Sequence, residues 1–203
     1  MSILGLVLAA GAGTRMGQPK ALLADDHGHT WLAHSVETLR TGGIETVYVV
    51  VGAQADDVRS AAPPECQVIE ATSWAEGMGA SLRSGIAALS REHATAEAML
   101  VMLVDTPGVG PDVVRRLTAS VNATTLARAS YDGKPGHPVL IGRAHWASAR
   151  AGAQGDEGAR GYLESAGVTL IECGDLGSGD DLDTPEALTR WRQADAPSGT
   201  YLG

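Results

Sequence analysis

The chain has 203 residues, a length that suits one domain. Fifteen basic residues against 24 acidic ones leave a formal charge of −9, which excludes a basic coat for nucleic acid or anionic lipid but not a local basic site. Hydrophobic residues make up 44% and charged residues 19%, which can fill a core and argues against disorder; with no Phe, four Trp and four Tyr, that core is aliphatic.

Ile3 to Leu8 is a short aliphatic run ahead of glycines and predicts a fully buried strand. Ala10 to Pro19 is a Gly-rich loop. Thr30 to Arg40 predicts a helix, with Thr30 as N-cap and Gly42-Gly43 as the stop. Thr46 to Val51 is a second buried strand. Ala55 to Ala61 is a short helix stopped by Pro63-Pro64, and Gln67 to Glu70 a third strand. Gly79 to Arg91 is a helix with Leu82, Ile86 and Leu89 on one face, and Met99 to Val104 a strand ending at Asp105. Pro111 to Val121 is a helix with Pro in its first turn. Thr125 to Ala129 and Val139 to Ile141 are short strands flanking a Gly/Pro loop. A helix over Gly158 to Ser165, a strand over Val168 to Glu172 and a helix over Pro185 to Arg192 complete the series.

Helices alternate with apolar strands over short connections. This predicts an α/β, three-layer fold with a mostly parallel central sheet, as one domain over residues 1–194 with a frayed tail over 195–203. Ligands bind such sheets at the carboxyl ends of strands, so the informative residues should follow strands. The two cysteines, Cys66 and Cys173, lie far apart and form no CxxC pair, which argues against a disulfide framework or a zinc knuckle. The apolar run Ile3 to Ala10 is far short of a membrane span and has no basic flank, so a cytoplasmic protein with no membrane or nucleic-acid partner is expected. Asp25-Asp26-His27-Gly28-His29, with His34 beyond, suits no standard metal spacing and reads as a solvated turn.

The loop after the first strand reads Leu8-Ala9-Ala10-Gly11-Ala12-Gly13-Thr14-Arg15-Met16-Gly17-Gln18-Pro19-Lys20. Glycines let backbone N–H groups converge on an anion, and Arg15 and Lys20 add charged donors. The first 24 residues hold these two cations and no acid, the reverse of the whole chain. GxGxxG fails because position 16 is Met, and GxxxxGK[ST] fails because no glycine precedes Lys20.

The loop resembles the N-terminal signature of sugar-phosphate and cofactor nucleotidyltransferases. The resemblance implies a Rossmann-like fold of the nucleotide-diphospho-sugar transferase type, a nucleoside triphosphate substrate and pyrophosphate release. Arg15 and Lys20 would then contact the triphosphate, with Leu8, Ala9, Ala10, Gly11 and Gly13 beside the nucleotide. Further along, Gly77-Met78-Gly79-Ala80-Ser81 is similar to the base-reading segment of molybdenum-cofactor cytidylyltransferases, which gives that role to Gly77, Met78, Gly79 and Ser81. Asp105-Thr106-Pro107 matches an Asp-x-Pro element, and Asp181-Leu182-Asp183-Thr184-Pro185-Glu186 an Asp-Ile-Asp-Thr-Pro-Glu element. By resemblance Asp105 with Asp181 or Asp183, Asp183 favoured, would hold Mg²⁺. Gly136-His137-Pro138 and Gly155-Asp156-Glu157-Gly158-Ala159-Arg160 resemble the elements that separate molybdopterin nucleotidyltransferases from sugar-1-phosphate enzymes. The acceptor side would then include Lys134, His137, Asp156 and Gly158, with a helix N-terminus at Gly158.

The resemblance implies a Mg²⁺-dependent enzyme that transfers CMP from CTP to the terminal phosphate of molybdopterin or molybdenum cofactor, Arg15, Lys20 and Asp105 being catalytic. A molybdoenzyme or its chaperone would be a further partner. Ala10, where guanylyl-transferring relatives usually carry Gly, favours CTP over GTP. The alternatives are a cytidylyltransferase acting on methylerythritol phosphate or another polyol phosphate, a guanylyltransferase acting on molybdopterin, and a non-catalytic delivery protein.

Overall fold

Seven strands form one sheet in the computed structural model, which describes residues 2–25, 27–184 and 186–189. In chain order the elements are β1 (Ile3–Leu8), α1 (Trp31–Thr41), β2 (Thr46–Val51), α2 (Ala55–Ala61), β3 (Cys66–Glu70), α3 (Met78–Glu92), β4 (Ala98–Leu103), α4 (Pro111–Thr118), β5 (Leu126–Tyr131), β6 (Lys134–Gly142), α5 (Trp146–Gly152), α6 (Arg160–Ser165) and β7 (Thr169–Glu172). The strand order is β3-β2-β1-β4-β6-β5-β7, parallel throughout except that β6 runs against both β4 and β5.

Alternation along each strand splits the core into two layers. Val7, Val49, Leu100 and Met102 face α1, α2 and α4. Leu6, Val50, Met99 and Val101 face α3, α5 and α6. Both faces are covered, so the central strands are near-continuous hydrophobic runs, broken only by Gly5 in β1 and Thr46 at the start of β2. Thr30 caps α1 by accepting from Ala33 N at 3.1 Å, as its position before Trp31 predicts.

The chain leaves β1 toward β2 and β3 on one side, then returns to place β4 on the other. Leu8 at the end of β1 therefore lies beside Leu103 at the end of β4. This is the switch point where an open α/β sheet forms a crevice.

Several elements differ from expectation. The predicted Gly/Pro loop between the two short strands is a hairpin in which β5 and β6 run to Tyr131 and Lys134 around an Asp132-Gly133 turn. Both turn residues have positive φ, 51° and 76°, as a two-residue turn matched to strand twist requires. The prolines are tolerated because β6 pairs with β4 only from Val139 onward; Pro135 and Pro138 lie where β4 does not reach. Helix α5 was not expected: only Trp146 and Ala149 of its seven residues are buried, too short a stripe for periodicity to show. Helix α4 ends at Thr118 rather than Val121, and α6 starts at Arg160 rather than Gly158, whose φ of +58° lies outside a right-handed helix. The expected last helix is described only over Glu186 to Thr189; Pro185, the rest of that helix and the expected tail lie outside the described residues, as does Asp26.

Leu100 is fully buried at the centre of β4. Leu100→Ala should cost about 2–5 kcal/mol of unfolding free energy, read from the shift of a urea or thermal unfolding curve.

Candidate active site

The crevice at the ends of β1 and β4 opens into a cavity of about 440 Å³. The Gly-rich loop forms one wall. Gly13 has φ +59°, and a Cβ there would fall 1.9 Å from the Gln18 carbonyl oxygen, so the fold admits only glycine. Met16 N then donates to Gly13 O at 2.8 Å and closes a 3₁₀ turn over Thr14 to Met16 that carries Arg15. A second 3₁₀ turn begins at Lys20 and aims its ammonium across the crevice.

Lys20 Nζ donates to Asp105 Oδ2 at 2.6 Å and also to Asp183 Oδ1. Arg15 Nη1 stands 3.6 Å from Asp183 Oδ2. The turn that carries Asp183 is tied to the end of β4 by Leu182 N donating to Asp105 O at 3.0 Å. Burial alone would lower the pKa of Lys20, but the Asp105 carboxylate and then Asp183 outweigh it and raise it. The hydrogen bond from Lys20 lowers Asp183 in turn. Among the described residues Asp181 has no such hydrogen bond: burial, with the charges of Asp105 and Asp183, pushes it up to about 6.

Leu8, Ala10, Gly11, Gly13, Arg15, Lys20, Gly77, Met78, Ser81, Asp105, Asp156 and Asp183, singled out in the sequence, all line this cavity. Two expected nucleotide contacts do not. Ala9 packs into the layer on the other side of the sheet. Gly79 backs onto Gln154, where a Cβ would meet backbone atoms at 2.6–2.8 Å, so its lack of a side chain serves close packing of α3. Thr14 and Trp74 also line the cavity. Neither was singled out, although both lie inside the motifs quoted above.

A second cavity of about 330 Å³ adjoins the first and shares Leu8, Met78, Leu103 and Asp156 with it. His137, Asp156, Gly158 and Asp181 line it; Lys134 lines neither cavity and sits exposed opposite Tyr131 at the hairpin turn. The expected helix N-terminus at Gly158 is absent, since the Gly158 carbonyl accepts from Gln154 N at 3.0 Å and α6 has only six residues. Burial and the neighbouring Arg128 push His137 down to about 3, which keeps its imidazole neutral at ordinary pH.

Among the described residues no group of three His, Cys, Asp or Glu converges to hold a metal ion. Of the expected ligands, Asp105 and the favoured Asp183 close together on Lys20, while Asp181, the alternative to Asp183, turns to the second cavity. The pair that remains still fits a hard divalent cation, because Mg²⁺ is commonly held by one or two carboxylates together with waters and phosphate oxygens. Asp25, expected in a solvated turn, accepts from the backbone N of His27 and His29, each at 2.9 Å.

A cation-bearing glycine loop at a sheet switch point, facing two carboxylates, is phosphate-handling architecture. Residues 5–170 match the MobA-like NTP transferase domain. The chain belongs to the MobA-like NTP transferase family. Its fold is of the nucleotide-diphospho-sugar transferase kind. Rv0371c from Mycobacterium tuberculosis H37Rv superposes with a TM-score of 0.80 at 29% identity, covering 95% of this chain and 98% of that one. The same protein in complex with manganese superposes with a TM-score of 0.73 at 28% identity, covering 96% and 100%. Nicotine blue oxidoreductase from Paenarthrobacter nicotinovorans is 36% identical over 93% of this chain and 95% of its own length. A probable molybdenum cofactor guanylyltransferase from Rhodopirellula baltica is 40% identical over 30% of this MobA-like chain and 29% of its own. Among the described residues no helix is long and apolar enough to cross a membrane.

His137 gives this MobA-like domain a definite pH dependence. As pH falls from 6.5 toward 3, the unfolded chain takes up a proton at this position and the folded chain does not, so stability is lost. His137→Gln should flatten the melting-temperature profile between pH 7 and pH 4 relative to the unmodified protein.

Proposed function

We propose that this chain transfers CMP from CTP to the terminal phosphate of molybdopterin or molybdenum cofactor, releasing pyrophosphate. The observation that carries the reading is the meeting of Lys20 and Arg15 with Asp105 and Asp183 in the cavity beside a second, adjoining cavity. The first cavity has the size and donor set for a nucleoside triphosphate, and the second offers room for an acceptor next to it.

An oxygen of the acceptor's terminal phosphate forms a bond to the α-phosphorus as the bond from that phosphorus to the β-bridging oxygen breaks. The pyrophosphate leaves with the electron pair. The attacking group is already an anion, so no strong general base is needed, and the protein's contribution is positioning and charge neutralisation. Arg15 and Lys20 offset charge on the departing pyrophosphate. An entering triphosphate competes for the Lys20 ammonium and frees the two carboxylates. Asp105 and Asp183 would hold Mg²⁺, which when bound neutralises phosphate charge; the manganese complex of Rv0371c is in keeping with that. Gly11 and Gly13 bring backbone close to the phosphates, and Gly77, Met78 and Ser81 flank the base. Asp156, at the junction of the cavities, and His137 border the acceptor. The molybdopterin acceptor is supported by the MobA-like family and by the relative named as a probable molybdenum cofactor guanylyltransferase. The Ala10 methyl, which lies on the cavity wall, supports CTP over GTP.

Purified protein with CTP, Mg²⁺ and molybdopterin should release pyrophosphate, and chelation of the metal should stop it. Lys20→Ala and Asp105→Ala should each lower the rate about 100-fold or more; an unchanged rate in both overturns the mechanism. With Mg²⁺ present, CTP should raise the melting temperature more than GTP does, and the opposite order makes the enzyme a guanylyltransferase.

The 36% identity to nicotine blue oxidoreductase favours a second reading, oxidoreduction of a small aromatic compound in the same cavities. Bleaching of nicotine blue by reduced nicotinamide cofactor, with no pyrophosphate released from any nucleoside triphosphate, would select it.

A further inference from the structure

The second cavity holds a cation for which the transfer chemistry above has no task. Arg128 lies on β5 between Ala127 and Ala129, which both face α1, α2 and α4. Strand alternation therefore sends its side chain to the opposite layer, into the cavity beside its cross-strand neighbour Val139. Its Nε donates to Gly136 O at 2.7 Å, which fixes the plane of the guanidinium. A guanidinium has five N–H donors. Among the described residues the other four meet no acceptor, and Arg128 forms no ion pair. Arg160, the cavity's other guanidinium, is already held by Glu164 at 2.8 Å.

A half-buried cation with a single hydrogen bond is costly unless a ligand completes it. Burial, then the nearby Arg160, lower its pKa, and the charges of Glu164 and Asp181 offset this only in part.

The rest of the lining limits what that ligand is. Asp156, Glu157 and Asp181 share the space, so a polyanion would be repelled. Leu82, Val101 and Leu163 supply apolar walls suited to the faces of a flat ring. Register places Arg128 level with Val139 and Val101, two strands from β4 and so about 10 Å to the side of it. The guanidinium therefore meets the body of a bound molecule and not a phosphate reacting beside Asp105.

We propose that Arg128 is the residue that selects the acceptor's ring system, donating to a ring carbonyl oxygen while the cavity carboxylates accept from ring N–H and amino groups. The ligand class is a heteroaromatic lactam of the amino-pyrimidinone type. This rests on the reading of the chain as a transferase with a pterin acceptor, and it assigns the part of the protein that would recognise the pterin.

Pterin itself is fluorescent and serves as the probe, titrated into the full chain without nucleotide. Saturable quenching is expected. Arg128→Met should weaken binding about 10- to 100-fold, and Arg128→Lys should recover part of it. Inorganic phosphate at millimolar concentration should not displace the probe, and the melting temperatures of both variants should match that of the parent. Unchanged binding in Arg128→Met, displacement by phosphate, or no pterin binding to the parent protein would each overturn the proposal. Should Arg128→Met fail to fold, a parent-like affinity in Arg128→Lys overturns it instead. Failure of the transferase reading looks different: no nucleoside triphosphate yields pyrophosphate, while pterin binding through Arg128 persists.

Discussion

One ammonium group fastens three remote stretches of this chain together. Lys20 belongs to the glycine-rich loop, Asp105 follows β4, and Asp183 lies in a turn 163 positions further along than the lysine. Asp105 and Asp183 both reach the Lys20 ammonium and would face each other unbalanced without it. The Lys20 and Asp105 side chains are largely shielded, at 17% and 18% exposure, so solvent screens their attraction only in part. Take the ammonium away and two facing carboxylates remain, opposed only by Arg15 at 3.6 Å from Asp183.

The net charge of −9 takes on another meaning against this arrangement. Part of the acid excess is located, opposite the only cations of the first 24 residues. Arg15 and Lys20 stand against Asp105 and Asp183, with Asp156 further along the lining, so the crevice is far less acidic than the molecule as a whole. A global count of charges says little about a ligand that meets four side chains. The MobA-like family membership is compatible with an acidic protein that handles phosphates for this reason.

The nucleotide half of the fold was legible because its cues are local. Each of the parallel strands β1, β2 and β4 is a continuous apolar run, and the glycines, Arg15 and Lys20 follow directly on one of them. The half around the second cavity was less so. The turn at Asp132-Gly133 is a strong hairpin signal, but Pro135 and Pro138 on its far side read as loop until β6 is seen to overhang β4. Nothing in sequence tells that a five-residue overhang, from Lys134 to Pro138, makes those prolines harmless. Arg128 did leave a trace: it is the one charged residue in the Leu126 to Tyr131 run, at a position that alternation turns inward. The pairing of Lys20 with Asp105 and Asp183, rather than a ready-made carboxylate trio, is a tertiary fact that spacing does not encode.

The reversed direction of β6 separates two kinds of recognition along the chain. In the parallel strands the residues at the crevice rim come after the strand; in β6 they come before its paired half, next to the hairpin. Glu172 anchors that hairpin by accepting from Ser130 Oγ and from the N–H groups of Asp132, Gly133 and Gly174, bonds that hold its carboxyl down to about 2, the Ser130 contact foremost. The turn is thus clamped at its base yet extends beyond the end of the pairing with β4. Lengthening or trimming it would reshape the second cavity while leaving the Leu8–Leu103 junction untouched. The fold behaves as a fixed socket with an interchangeable jaw.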